Sequence, residues 1–343
     1  MSKAATSARA LAGLGLVTAD EAARLAAVED KFSTRLSPEV LRQIKTASLD
    51  DPIFRQYVPS REELDVREDE LADPIGDVPH QKVKGIIHRY RDRLLLTPTH
   101  TCQVYCRFCF RREKVGSAAN LSKAELEAAY AYIAVHSEVN EVILTGGDPL
   151  VLSDRRLAEI IGRISAIPHV SVIRIHSRVP LVEPARITRD LLKALKTRCA
   201  LFMLIHVNHA AELSKPVCAG LARLNKAGIP LLSQSVLLKG VNNDAEVLAT
   251  LFRALIANRV KPYYLHHLDK AEGTSHFRVS IAEGQALMRQ LRGKLSGLAQ
   301  PTYVLDIPGG FGKVPIGPVS LNQKAPGQYE IADPEGRRHR YQE

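Results

Sequence analysis

Short runs of leucine and β-branched residues recur along the middle of the chain: Leu94–Thr97, Val142–Thr145, Val172–His176, Leu201–His206, Leu231–Leu237 and Tyr263–Leu268. Most of the segments between them place apolar residues at helical spacing instead. Leu121-Ser122-x-x-Glu125 is a capping-box signature in front of a long alanine-rich stretch. Further helices are expected over Asp154–Ile167, Thr188–Lys196, Ala211–Ala227 with Gly228 as the stop, Asp244–Asn258 and Ile281–Leu295. Strand and helix alternating in this way predict β–α units around a parallel sheet. Six such units joined by right-handed crossovers curl into a partial barrel. The expected fold class is therefore α/β, a partial (β/α)6 barrel over residues 85–300.

The flanks read differently. In residues 1–84, Thr18 and Asp20 cap a helix from Glu21 to about Phe32, and Ser37-Pro38-Glu39 opens another. Asp51-Pro52, Pro59-Ser60 and Asp73-Pro74 then break the chain repeatedly. This N-terminal helical extension is expected to pack without taking part in chemistry. Residues 301–343 form a C-terminal segment that opens on a glycine-rich stretch.

Bulk composition narrows the class. With 45% hydrophobic residues in 343, a sizeable core can form. No apolar run approaches the roughly 20 residues of a membrane span. The Ala8–Leu16 patch is followed closely by acids, so it reads as an amphipathic helix rather than a secretory signal. No membrane association and a cytoplasmic location are expected. The net charge of +10 permits nucleic-acid binding, but the cations are spread along helices and aromatics make up only 5%. A solvated basic surface with no nucleic-acid partner is the reading adopted.

Three thiols change the picture. Cys102, Cys106 and Cys109 follow the first apolar run with the spacing C-x3-C-x2-C. Thiolates are the usual ligands of iron–sulfur clusters, and three of them leave one iron of a four-iron cluster open to a small molecule. Such a cluster can bind and split S-adenosylmethionine, a cofactor of radical chemistry. Structural zinc sites mostly use paired CxxC and four ligands. Cys199 and Cys218 stand alone, and an odd total of five with no secretory signal argues against disulfides.

Active sites of β–α barrels lie where strands end, and the informative residues fall there. Thr145-Gly146-Gly147-Asp148 offers backbone that a ligand can approach closely. His176-Ser177-Arg178, His206-Val207-Asn208-His209 and Gln234-Ser235 place polar groups at successive strand ends. His206 and His209 suggest a metal, but no further ligands follow, so they are read as hydrogen-bonding groups of the pocket. Arg89 and Arg111 are candidates to grip carboxylate or phosphate. Asp269 ends the sixth run. Val304-Leu305-Asp306-Ile307-Pro308-Gly309-Gly310-Phe311-Gly312-Lys313 resembles a phosphate loop without being one, because Val314 follows the lysine. A lysine on a flexible glycine turn can hold pyridoxal phosphate.

Taken together, HRYRDR, the three-thiol stretch with FRR, LTGGDPL, RIHSR, PARIT, VNH, QSVLL, PYYLHHLD and DIPGGFGK resemble the lysine 2,3-aminomutase family, over roughly residues 85–335. The resemblance implies a radical S-adenosylmethionine barrel that is also pyridoxal-phosphate dependent, an isomerase moving the α-amino group of L-lysine to C3. It implies a [4Fe–4S] cluster on Cys102, Cys106 and Cys109, and Gly146, Gly147, Asp148, His206 and Gln234 as cofactor-binding residues. It further implies Lys313 as the catalytic, cofactor-bearing lysine with Arg89 and Tyr90 beside the cofactor. Arg111 matches the grip on the substrate carboxylate; Asp269 and Asp306 match the pair that binds its ε-ammonium. An electron donor such as flavodoxin or ferredoxin and a homo-oligomer, a dimer, follow as partners.

Family members with structural zinc carry a cysteine-rich tail not seen here, so no zinc is expected. Phe311 among the glycines departs from the pattern. The branch supplying β-lysine for elongation factor P and a metabolic mutase both fit. The alternatives are a radical enzyme acting on another amino acid (a glutamate-type 2,3-aminomutase), one modifying RNA or protein, and a non-enzymatic iron–sulfur protein.

Overall fold

A computed structural model describes residues 4–116 and 120–343. One ten-stranded sheet runs in chain order: β1 (Gln81–Val83), β2 (Ile86–Tyr90), β3 (Arg93–Thr99), β4 (Glu141–Gly146), β5 (Val172–Ser177), β6 (Ala200–His206), β7 (Leu231–Val236), β8 (Val260–His266), β9 (Thr302–Ile307) and β10 (Gly312–Pro315). Neighbours from β3 to β9 pair parallel; β1, β2 and β10 pair antiparallel at the two ends. The six expected strands are all present. The sheet gains a seventh parallel strand, β9, from the segment after residue 300, where the reading had dwelt on glycines. β8 starts three residues before the expected Tyr263. Pro262 hid its start, and the register with β7 slips there, as befits a residue with no N–H to give the ladder.

Helices cover the outside of the sheet, several of them opened by a side-chain cap. Ser122 and Glu125 close a capping box on Lys123–Val135, Ser153 caps Asp154–Ser165, and Asp244 caps Ala245–Ala257. The helix expected from Ala211 begins instead at Lys215, because Ser214 is its cap and Pro216 sits in its first turn. The alternation along β5 shows where the core lies. Ile173 and Ile175 are fully buried under helices, whereas Arg174 and His176 face the barrel interior. The inner face is therefore polar, unlike the near-continuous apolar runs usual in parallel sheets.

Residues 4–80 are more than packing. Glu63 is fully buried between Arg107 and Arg112, with Arg107 Nε 3.0 Å from its Oε1. Arg107 also donates to Ser33 O at 2.9 Å and, through its N–H, to Gln56 O at 2.9 Å. The extension thus grips the cysteine loop from outside the barrel. A separate three-stranded antiparallel sheet, β11 (Leu321–Ala325), β12 (Gln328–Ala332) and β13 (Arg338–Gln342), ends the chain.

Candidate active site

A cavity of about 830 Å³ occupies the barrel interior. The antiparallel register of β9 and β10 sets Lys313 directly opposite Asp306, and the two form an ion pair. Three positive-φ glycines, Gly309, Gly310 and Gly312, make the turn between them. The N–H of Lys313 donates to the Tyr90 hydroxyl at 2.8 Å. Lys313 Nζ lies 3.3 Å from His266 Nδ1 and 5.6 Å above the Tyr264 ring. Tyr90 thus holds the strand that carries the lysine.

Charge alternates along the wall. Arg89 Nη1 is 3.8 Å from Asp306, and its Nη2 donates to Asp77 at 3.1 Å. Arg111 reaches the other oxygen of Asp77, Nε at 2.9 Å and Nη2 at 2.8 Å. Asp269 also lines this cavity, and its Oδ1 is buried without a hydrogen-bond partner among the described residues. Burial, then the negative charge of Asp306, pushes Asp269 up to about 7. Burial opposes ionisation of Asp306 too. There the nearby His266 ring, 3.8 Å away, and the charge of Lys313 prevail, and its carboxyl stays well below the usual range. Burial and the Lys313 charge take His266 down to about 4, so it is neutral at pH 7. His206 and His176 are likewise held neutral, by burial first and then by Arg178 and Arg174.

The three cysteines share one loop after β3, all as free thiols. Burial raises each of them, Cys106 to about 11, and Cys102 also feels the charges of Asp148 and of its fellow thiols. Among the described residues no group of three or more Cys, His, Asp or Glu side chains, the three cysteines included, is gathered closely enough to hold a metal ion. The donor set is three soft sulfurs on a pinned loop, which suits an iron–sulfur cluster rather than a hard cation. Arg178 stands beside Cys106, held by Gln56 Oε1 and Glu212 Oε2, each at 2.7 Å. A nearby fixed cation favours thiolate over thiol.

The glycine pair is bound to that loop. A Cβ on Gly147 would fall 2.4 Å from Thr101 O, and the Asp148 N–H donates to the same oxygen at 2.9 Å. The Asp148 carboxylate is wholly committed to protein donors: Leu150 N–H, Ser177 hydroxyl, Arg178 N–H and Val179 N–H. These bonds tie the end of β4 to the residues that close β5. Gln234 donates toward the His176 ring at 3.3 Å and lines the cavity with His206. His209 does not reach the cavity; its Nδ1 accepts from Ala211 N–H at 3.1 Å as a cap.

Sequence reasoning missed Asp77, which comes from the extension. It also missed the lower cavity wall, where Arg174 pairs with Glu141 at 2.7 Å and Arg93 stacks 3.9 Å from the Tyr90 ring. The period-two alternation Val172-Ile173-Arg174-Ile175-His176 was the available signal for Arg174.

Comparison with known proteins gives these features a family. A radical SAM superfamily model matches residues 96–252, and a lysine-2,3-aminomutase model matches residues 288–343. An L-lysine 2,3-aminomutase of Methanococcus maripaludis is 42% identical over 84% of this chain and 67% of its own length. An L-lysine 2,3-aminomutase of Escherichia coli is 38% identical over 83% of each. The chain belongs to the L-lysine 2,3-aminomutase family. It is a radical SAM aminomutase, an isomerase of small molecules, and that membership implies a [4Fe–4S] cluster and S-adenosylmethionine. No described helix of this aminomutase is long and apolar enough to cross a membrane.

Proposed function

We propose that this aminomutase shifts the α-amino group of L-lysine to C3, giving β-lysine, with pyridoxal phosphate carried on Lys313. The observation that carries the reading is one cavity holding Lys313, two carboxylates (Asp306 and Asp269) and Arg111. Lysine has one carboxylate and two amines, and the wall offers a complement to each.

Bound together, the cluster, S-adenosylmethionine and pyridoxal phosphate supply hydrogen-atom abstraction at an unactivated C–H and a π-system across which nitrogen migrates. The protein's residues do the rest. Cys102, Cys106 and Cys109 would hold the cluster, and Gly146-Gly147 would seat S-adenosylmethionine. Arg89 would take the cofactor phosphate, with Arg93 and Arg174 as further cations below. Tyr90 holds the lysine strand by its hydroxyl. Arg111 would grip the substrate carboxylate. With Lys313 engaged by the cofactor, Asp306 is released to join Asp269 around the ε-ammonium. Neutral His266 beside Lys313 is placed to accept or return its proton. The paired side chains of Asp77, Asp306, Arg89 and Arg111 are about nine-tenths buried, so their ion pairs act at a lower dielectric than in bulk water.

The two acids decide between amino acids. A glutamate-type substrate would bring a third negative charge against them. A shorter diamino acid would leave them unpaired, at about 1–3 kcal/mol. A one-electron donor such as flavodoxin or ferredoxin would reduce the cluster. A homodimer is proposed from the resemblance. Supply of β-lysine to elongation factor P rests on the resemblance alone.

The test is anaerobic purification, reconstitution and chromatography of products from L-lysine, L-ornithine and L-glutamate. β-Lysine from lysine alone is expected. Lys313→Ala should lose the visible absorbance of bound pyridoxal phosphate, while Cys102→Ala should keep it and lose turnover. Turnover of glutamate in preference to lysine would sink the reading.

A further inference from the structure

Asp77 has no part in the chemistry above, yet it holds two arginines of the cavity wall. Arg89 donates to its Oδ1 at 3.1 Å, and Arg111 holds its Oδ2 through Nε at 2.9 Å and Nη2 at 2.8 Å. All three side chains are about nine-tenths buried. The contact uses the side edge of the Arg111 guanidinium. Nη1 makes a longer bond, donating to the hydroxyl of Thr145, another wall residue, at 3.4 Å. Asp77 is itself anchored by backbone. Its N–H and that of Val78 each donate to Asp73 at 2.8 Å. The preceding Gly76 packs so closely on the lysine turn that a Cβ there would sit 2.3 Å from Gly310 N.

We propose that Asp77 is a positioning residue for the reaction, holding Arg111 by its side edge so that the Nη1 end of the guanidinium, beside Thr145, meets the substrate carboxylate, and holding Arg89 toward the cofactor phosphate. This rests on the reading of the cavity as a site for an amino acid and pyridoxal phosphate. The physical gain is preorganisation. A guanidinium already desolvated and oriented loses little freedom when a carboxylate arrives. Asp77 also offsets the repulsion between two neighbouring cations. The rival reading makes Asp77 a plug on donors that the substrate needs, and it predicts the opposite sign.

The test uses the reconstituted holoenzyme with Asp77→Asn, Asp77→Ala and Asp77→Glu. Steady-state kinetics on L-lysine are run beside titration of pyridoxal phosphate followed by visible absorbance. Asp77→Asn and Asp77→Ala should raise KM for lysine about tenfold or more with kcat within about threefold, the pattern of lost uniform binding. Pyridoxal phosphate affinity should fall in the same variants, and Asp77→Glu should recover part of both. Melting temperatures near that of the parent separate this from misfolding. An unchanged KM overturns the proposal, and a lowered one makes Asp77 the plug. If the parent enzyme does not turn over lysine, the aminomutase reading has failed. Unchanged pyridoxal phosphate affinity in Asp77→Asn then overturns the proposal by itself.

Discussion

Lys313, Asp306 and Asp269 show how far single residues could be read before the fold was known. Lys313 stood out because a lysine among glycines is an unusual pairing, and Asp306 because it shares that stretch. Nothing in the sequence says that they face each other; the β9–β10 register does. Asp77 was illegible for a plainer reason. It lies 34 residues from Arg111 in a proline- and glycine-broken loop, where an acid normally reads as a turn residue. The unusual acidity of Asp269 gives a prediction at this scale. Its proton is held more tightly in the folded protein (about 7) than at the ordinary carboxylate value of 3.8. Its contribution to stability is therefore full below 3.8 and is lost as the pH rises toward 7. An ammonium needs the ionised form, so KM for lysine should fall as pH rises through about 7. Asp269→Asn should flatten that profile and raise KM about tenfold or more. Initial rates across pH 6–8 check it, and a profile identical to that of the parent would remove Asp269 from the substrate pocket.

Elements were more legible than their contacts. Ser and Thr caps placed helix starts to within a few residues, because a cap is a local hydrogen bond that sequence spacing reveals. The thiol loop was read from its spacing together with the family resemblance. Its buttress was not, since Glu63 meets Arg107 and Arg112 only through the tertiary fold, and the extension was expected to take no part in chemistry. Breaking that triad should show what it does. Glu63→Gln leaves two buried guanidiniums short of a counter-charge. It should destabilise the protein by about 3–5 kcal/mol, seen in chemical unfolding. Iron content after reconstitution should fall as well, because Arg107 lies between the second and third cysteines. Full iron loading with unchanged unfolding would mean that the loop needs no such support.

The whole molecule is a half-closed barrel whose helix-facing side is apolar and whose inner side carries Arg174, His176, His206, Gln234 and His266. That inversion was only half visible in sequence. Strand order followed from strand–helix alternation, but β9 was hidden by the glycine turn that follows it. The hollow has a thermodynamic consequence of its own. A ligand that binds only the native form stabilises it by RT ln(1 + [L]/Kd), about 2.7 kcal/mol at a hundredfold excess over Kd. Pyridoxal phosphate should therefore raise the urea midpoint of the parent protein but not of Lys313→Ala, and equal shifts in both would place its binding elsewhere. In most barrels the side chains of the strands themselves complete the filling of the centre. On the proposed reading the organic groups that do the chemistry would double as a keystone, so saturation with cofactor and resistance to unfolding should rise and fall together.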